Sequence, residues 1–195
     1  MAVNKKGWFA IAGVQRGDRT LAQQMMGLQL LPELVHTKTV LDLGCAEGLI
    51  AVEAVLAGAV LVDAVDYNEE LLATAENYRN SKSILDTRLR FHRVNLSQAL
   101  PAQLSAQYDV VLALSIIHKL YDMTSFVRRI AAASKGVVVI RYPTKARDGI
   151  VHCKYNRGLR VDVPRLMRMD GFTQFAEREG SNDELVAYWR RNGNR

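Results

Sequence analysis

From Thr39 onward the chain alternates short apolar runs with stretches of helical periodicity, and no other feature narrows its fold as much. Thr39 to Leu43, Val60 to Val65, Leu89 to Val94, Asp109 to Leu114 and Gly136 to Ile140 read as strands. Between them, Leu49 to Leu56, Glu69 to Tyr78 and the spaced apolar set Met123, Phe126, Val127 and Ile130 read as helices. Asn68 and Asp122 stand where N-caps belong. Asp109 to Leu114 is apolar almost without a break, the pattern of a strand covered on both faces. Strand–helix alternation of this kind requires a parallel sheet with helices on both sides. Phe172 to Glu177 and Leu185 to Tyr188, joined by a Gly-Ser-Asn turn, add two more strands as a hairpin. The predicted class is therefore α/β: a doubly wound, mostly parallel seven-stranded sheet with helices on both faces and a C-terminal antiparallel hairpin.

Upstream, Thr20-Leu21-Ala22-Gln23 has the form of a capping box. It predicts a helix with Leu21, Met25 and Leu28 on one face and Pro32 near its end. No repeat, low-complexity stretch or linker divides the 195 residues, so a single domain over 1–195 is expected. Residues 1–38 form a helical cap, 39–143 a ligand-binding core, and 144–195 a substrate-side insert with the closing hairpin.

Composition removes several classes. Hydrophobic residues are 49% and proline only 4 positions, which excludes a disordered or Pro-rich chain. The longest uncharged apolar runs stop at roughly 8–10 residues, and a bilayer span needs about 20, so no membrane partner is expected. The N-terminal apolar run is about seven residues and lacks a cleavage site, which reads against a signal peptide. Only two cysteines, Cys45 and Cys153, are present, and both read as reduced thiols of a cytoplasmic protein. The 4 histidines show no metal-ligand spacing, so no metal is expected.

The stretch that carries chemistry is Val40-Leu41-Asp42-Leu43-Gly44-Cys45-Ala46-Glu47-Gly48. A strand runs into a glycine turn that opens a helix. In a parallel sheet this turn lies at the carboxyl end of a central strand, where such folds bind ligands. Asp66 follows 22 residues after Gly44, placed to accept from both ribose hydroxyls of a nucleoside. A nicotinamide cofactor needs G-x-G-x-x-G, and here Ala46 and the bulky Leu49 occupy the second and third positions. S-adenosylmethionine, which has no pyrophosphate to cradle, fits the turn better.

DLGCAEG, VDYNEELLATA, FHRVNL, YDVVLALSIIHKL and GVVVIRYP, in that order, resemble the Rossmann-like (class I) S-adenosylmethionine-dependent methyltransferases over Thr39 to Pro143. The resemblance implies S-adenosyl-L-methionine as cofactor. It implies that Asp42, Gly44, Cys45, Ala46 and Gly48 form the loop against its amino-acid part. Asp66 would hold the ribose, Tyr67 pack beside the adenine, Asn95 and Leu96 face the adenine edge, and Ser115 lie near the methionine and substrate. Two positions depart from the family. Ala46 stands where glycine is frequent, and is tolerated if its φ is negative. Asn95 stands where an acid is usual.

Specialised signatures are missing. Ser115-Ile116-Ile117-His118 replaces the Asn/Asp-Pro-Pro-Tyr loop of amino-methylating DNA enzymes, and no cysteine sits in a cytosine-C5 motif. Ser115 and Arg141 stand about where the ribose 2′-O tetrad needs Asp and Lys. His118, just past the fourth strand, is the candidate general base, with site lining or cofactor contact, or no role in the site, as the other readings. Net charge is +6, and the stretch from Lys145 to Arg168 has seven basic residues against Asp148 and Asp162. Arg16, Arg19, Lys154 and Arg157 are the candidate substrate residues. The expected reaction is methylation of an O or N atom of a small molecule, with the basic stretch suiting an acidic one. The alternatives are an RNA or protein methyltransferase using the same stretch, or a non-methylating S-adenosylmethionine-binding protein.

Overall fold

In the computed structural model, residues 6–9, 16–104, 107–143 and 148–193 are described. A seven-stranded sheet organises them. Its parallel part is built from β3 (Thr39–Leu43), β4 (Leu61–Asp66), β5 (Leu89–Arg93), β6 (Tyr108–Leu114) and β7 (Ser134–Pro143). The hairpin β10 (Phe172–Glu179) and β11 (Glu184–Arg191) completes it, in the order β10-β11-β7-β6-β3-β4-β5. β11 runs antiparallel to both β10 and β7; the remaining pairs are parallel. The seven strands expected from the sequence are present, each within a few residues of its predicted bounds.

Sequence alternation fixes which side chains go to which face. Leu41, Leu43, Val111, Ala113, Val138 and Ile140 pack on one side with Phe126, Val127 and Ile130 of helix α5 (Met123–Ala133). Val40, Val62, Ala64, Val110, Leu112 and Val139 pack on the other with helix α3 (Leu49–Leu56) and helix α4 (Glu69–Ser81). Asn68 caps α4 by accepting from the amides of Glu70 and Leu71, and Asp122 caps α5 by accepting from Ser125. Helix α6 (Val163–Met169), capped by Asp162, forms the end of the basic stretch. Topology then sets the site. The chain builds β3, β4 and β5 outward, then crosses back to place β6 on the other side of β3. The carboxyl ends of β3 and β6 therefore border the crevice where strand order reverses.

Three features differ from the sequence reading. The capping box is present, with Thr20 Oγ1 accepting from the Gln23 amide, but helix α1 stops at Leu21–Met25. A second short helix, α2 (Leu31–Val35), carries Pro32 in its first turn rather than near a helix end. The break falls at Gly27, where a Cβ would come within 2.6 Å of Val186 and 2.9 Å of the Glu179 carbonyl. Close packing on the hairpin thus overrides helix propensity. Arg141, buried on β7, donates to the carbonyls of Gln24 (2.6 Å) and Met26 (3.0 Å) and so closes the α1 end. Second, β1 (Lys6–Phe9) and β2 (Arg16–Arg19) form a small parallel pair that the sequence does not announce. Third, the basic stretch contains its own hairpin, β8 (Ile150–His152) against β9 (Arg160–Asp162).

Among the described residues no helix is long and apolar enough to cross a membrane, and no cluster of His, Cys, Asp and Glu is arranged to hold a metal ion.

Candidate active site

The turn after β3 is held to β4 through backbone. The amides of Gly44 and Cys45 both donate to the Val65 carbonyl, at 2.8 and 2.9 Å. Gly44 takes φ +83°, and a Cβ there would meet Ile116 at 3.2 Å, so the turn lies directly against the segment after β6. Gly48 caps α3 and leaves no space for a side chain beside Phe91. Ala46 has φ +49°, so the condition under which alanine would cost little is not met. An L-residue in this region costs roughly 1–2 kcal/mol. Its amide donates to Asp66 Oδ2 at 3.0 Å, an anchor that helps hold the turn. The buried Cys45 thiol is pushed well up, first by burial and then by the charges of Asp42 and Asp66, so it remains protonated.

Asp66, at the end of β4, takes the Ala46 amide on one oxygen and the Asn68 amide on the other, both at 3.0 Å. Each carboxylate oxygen accepts more than one hydrogen bond, so both keep capacity for a ligand hydroxyl. Asp42 is only 2% exposed and its Oδ2 has no hydrogen-bond partner. Burial and the neighbouring Asp66 charge push its carboxyl up to about 7, with Arg141 pulling the other way. The Tyr67 ring is exposed at the rim. Asn95 is exposed and its Oδ1 accepts from the Ser97 amide at 3.0 Å, so it shapes the turn after β5. Leu96 is buried in the core and its carbonyl takes Arg129 at 2.7 Å.

On the far side of the crevice the groups come from distant parts of the chain. Ser115 follows β6 with φ +58°, and its Oγ donates to Glu184 Oε1 at 2.5 Å. Arg19 Nη1 donates to the other Glu184 oxygen at 3.0 Å. With its amide turned so that oxygen faces the guanidinium, Asn182 accepts from Arg19 Nε at 2.9 Å. His118 sits half-buried in the 3₁₀ turn Ile117–Lys119, its Nδ1 shielded from solvent without a hydrogen-bond partner. Burial, then Lys119, Lys154 and Arg19, push its pKa down to about 4 against the pull of Glu184. Lys119 is likewise lowered, chiefly by burial and by Lys154, while Asp66 and Glu184 favour its charge. The Lys154 amide donates to the His118 carbonyl at 2.6 Å, which docks the β8–β9 hairpin on this turn. Tyr121 and Tyr155, both exposed, form a tilted pair with centroids 6.1 Å apart beside it.

The structure therefore brings Arg19, Ser115, His118 and Lys154 together. Arg157 is not brought in: it is exposed at the hairpin turn and its guanidinium makes no hydrogen bond or ion pair among the described residues. The Arg16 side chain, Lys145 and Arg147 lie outside the described residues. Sequence reasoning missed Glu184 and Lys119. The signal for Glu184 was an acid heading the apolar run Leu185 to Trp189, directly after the hairpin turn.

Residues 34–168, more than half of the chain, match the family described as a methyltransferase domain. No curated protein matches the chain by sequence. Among solved structures, magnesium protoporphyrin IX methyltransferase from Synechocystis PCC 6803, with bound S-adenosylmethionine, is similar at TM-score 0.69 and 18% identity, covering 88% of this chain and 80% of that one. The (4+2)-cyclase SpnF is similar at TM-score 0.67 and 16% identity over 83% and 79% of the two chains. A ribosomal-protein methylase from Lactobacillus delbrueckii subsp. bulgaricus reaches TM-score 0.63 at 16% identity over 84% and 76%.

Proposed function

The chain belongs to the methyltransferase-domain family, its cofactor is S-adenosylmethionine, and from that premise we propose that it methylates an O or N atom of a small molecule bearing an anionic group. The observation that carries this reading is the convergence of Arg19, Lys119 and Lys154 on His118, across the crevice from Asp42 and Asp66. Positive potential on the acceptor side attracts an anion.

The residues present suit the cofactor. Asp42 offers a buried, unpartnered carboxylate oxygen for an ammonium group, and Asp66 offers spare acceptor capacity for two ribose hydroxyls. Tyr67 offers an exposed aromatic face at the rim. When bound, the cofactor supplies a methyl group already activated on a positively charged sulfur. What remains for the protein is alignment of the acceptor and control of its charge. Ser115 and Glu184 fix the floor of the acceptor side, and Arg19 ties the segment before α1 to it. Lys154 makes no ion pair among the described residues and is the cation best placed to meet the acceptor's charge.

A polyanion reading rests on Arg157 and Arg160, which the β8–β9 hairpin leaves exposed. Salt separates the two. A nucleic-acid backbone held at six phosphates loses perhaps 10³ in affinity between about 50 and 200 mM salt. One ion pair gives a shallow slope. Tyr155 is the only aromatic in the stretch 145–168, so base stacking has little support. The test is transfer of labelled methyl to separated small-molecule, RNA and protein fractions. Label in the small-molecule fraction supports the reading, and label confined to RNA or protein overturns it.

A further inference from the structure

We infer that Arg141 and Gln24 hold the carboxylate of the cofactor's amino-acid end, next to the ammonium assigned above to Asp42. Three polar side chains here are almost fully buried: Gln24 is 3% exposed, Asp42 2% and Arg141 1%. Each keeps one buried polar atom with no hydrogen-bond partner among the described residues. Two of these are donors, Arg141 Nε and Gln24 Nε2, and the third is an acceptor, Asp42 Oδ2. Buried polar atoms are nearly always paired, so a group of exceptions in one place calls for a partner. The three share a face of the sheet. Leu41 and Leu43 flank Asp42 and pack on the α5 side, as do Ile140 and Tyr142 on either side of Arg141. Strand alternation therefore turns Asp42 and Arg141 to the α3 side. Only β6 runs between their strands, with Leu112 opposite Asp42 and Leu114 opposite Arg141. The Arg141 carbonyl accepts from the Ser115 amide at 3.0 Å, which sets it level with the crevice. Gln24 reaches the same place from α1, its Oε1 accepting from Arg141 Nη1 at 3.3 Å.

Charge identifies the partner. The Arg141 guanidinium hydrogen-bonds only to neutral acceptors among the described residues: Gln24 Oε1 and the carbonyls of Gln24 and Met26. Burial opposes its charge, and Glu184 is the acid that favours it most, with no hydrogen bond between the two. A guanidinium does not give up its proton inside a protein, so a buried one with neutral contacts lacks an anion. The cofactor's amino-acid end carries an ammonium and a carboxylate on one carbon. Asp42 Oδ2 is the acceptor that suits the first; Arg141 Nε and Gln24 Nε2 are the donors that suit the second. These donors are set in advance. Arg141 Nη2 holds the carbonyls of Gln24 and Met26, and the Tyr188 hydroxyl donates to that of Gly27, so the corner that carries Gln24 is fixed to β7 and β11. Donors fixed before binding lose little freedom when the ligand arrives.

The experiment is titration calorimetry on the full chain at pH 8, above the value of about 7 to which Asp42 is raised. The ligands are S-adenosylhomocysteine and its decarboxylated analogue, which keeps the nucleoside, the thioether and the amine. The unaltered chain should bind the analogue at least about tenfold more weakly, the scale of one charge-assisted hydrogen bond. In Gln24→Leu, which leaves both carbonyl contacts of Arg141 in place, that ratio should shrink about threefold. In Arg141→Gln it should fall to near one. Equal binding of the two ligands by the unaltered chain overturns the inference. So does a ratio that neither variant changes, which would leave water as the partner of the buried donors. Where Arg141→Gln fails to fold, Gln24→Leu decides alone. A deaminated analogue separates this inference from the assignment of Asp42 on which it rests. If it binds as tightly as S-adenosylhomocysteine, both fall; if only the decarboxylated analogue does, the Asp42 assignment stands and this inference alone is lost.

Discussion

The two walls of the crevice are held by different kinds of bond. On the cofactor side the geometry is local and largely backbone. Gly44 and Cys45 amides share the Val65 carbonyl, and the Ala46 and Asn68 amides share the Asp66 carboxylate. On the acceptor side it is long-range and made by charged side chains. Glu184 joins Ser115 across 69 positions and Arg19 across 165. The first wall is set by a turn that forms wherever β3 lies beside β4. The second exists only once β11 has paired with β7 and drawn the segment before α1 onto it. Substitutions on the two walls should therefore separate cofactor affinity from acceptor turnover.

The largest effect is expected at Asp66. Asp66→Ala removes the proposed ribose acceptor and the anchor of the Ala46 amide together. Loss of one or two charge-assisted hydrogen bonds is worth roughly 2–4 kcal/mol, or about 30- to 1000-fold in S-adenosylhomocysteine affinity by titration calorimetry. Binding within threefold of wild type would mean that Asp66 serves only the turn. Asp63, also on β4, gives the contrast. It is buried and takes Arg90 at 2.8 and 2.7 Å, His92 at 2.7 Å and Tyr108 at 2.9 Å. Burial opposes its charge, but those donors outweigh it and leave its carboxyl below the usual value. Asp63→Ala should lower the melting temperature and leave the cofactor affinity of the folded protein unchanged.

Next in size is Glu184→Gln, which keeps the shape of the acceptor floor and removes its charge. Arg19 loses its counter-ion and Ser115 its charged acceptor. We expect kcat/KM for the acceptor to fall about 10- to 100-fold, the scale of one to two charge-assisted contacts. S-adenosylhomocysteine affinity should stay within threefold. A parallel loss of cofactor affinity would show that the two walls are one unit.

What was legible in the sequence follows the same division. The glycine turn, Asp66 and the helix cap Asn68 lie within Gly44 to Asn68, and each is a local signal whose spacing implies its place. The strands were legible because alternating burial writes itself into apolar patterning. The acceptor wall was legible only in pieces. Arg19 and Lys154 were singled out by charge, but nothing local says that Glu184 meets Arg19, because that pairing depends on the β7–β11 register that sets Glu184 opposite Pro143. The helix predicted through Leu28 failed for a related reason. The turn at Gly27 is dictated by the hairpin packed against it, more than 150 positions away. The β8–β9 hairpin was hidden by its length, three residues a strand among many charges.

A pH titration sharpens the contrast further. Asp42, raised to about 7, holds a proton in the free protein below that pH. If its carboxylate receives the cofactor's ammonium, binding must release that proton. Affinity for S-adenosylhomocysteine should then fall about tenfold per unit as pH drops below 7 and level off above it. Asp42→Asn should abolish the dependence. Its effect on stability has the opposite sign. Between the ordinary 3.8 and about 7 the folded state keeps a proton that the unfolded state releases. The contribution of Asp42 to stability is thus full at low pH and lost as pH rises through about 7. Asp42→Asn should accordingly raise the melting temperature of the free protein at pH 8. His118, already neutral, should add no inflection to kcat at saturating cofactor between pH 6 and 9.

The smallest expected effect tests whether the cofactor wall is as self-contained as its bonding suggests. Ala46 sits at φ +49°, where a Cβ is strained, in a position that the resembled family frequently fills with glycine. Ala46→Gly relieves roughly 1–2 kcal/mol of backbone strain. Glycine also widens the unfolded ensemble, which costs about 0.4–1 kcal/mol. The difference runs from about zero to a gain of about 1.6 kcal/mol, and for a chain of this size each kcal/mol raises the melting temperature by roughly 2–4 °C. The amide that reaches Asp66 is backbone and survives the change, so S-adenosylhomocysteine affinity should move less than threefold. A fall in melting temperature would show that the Ala46 methyl is packed into the site rather than merely tolerated. A clear gain in stability with a loss of affinity would show something more useful: that strain at Ala46 holds the turn in its binding geometry, and that the cofactor wall depends on more than the bonds it makes to β4.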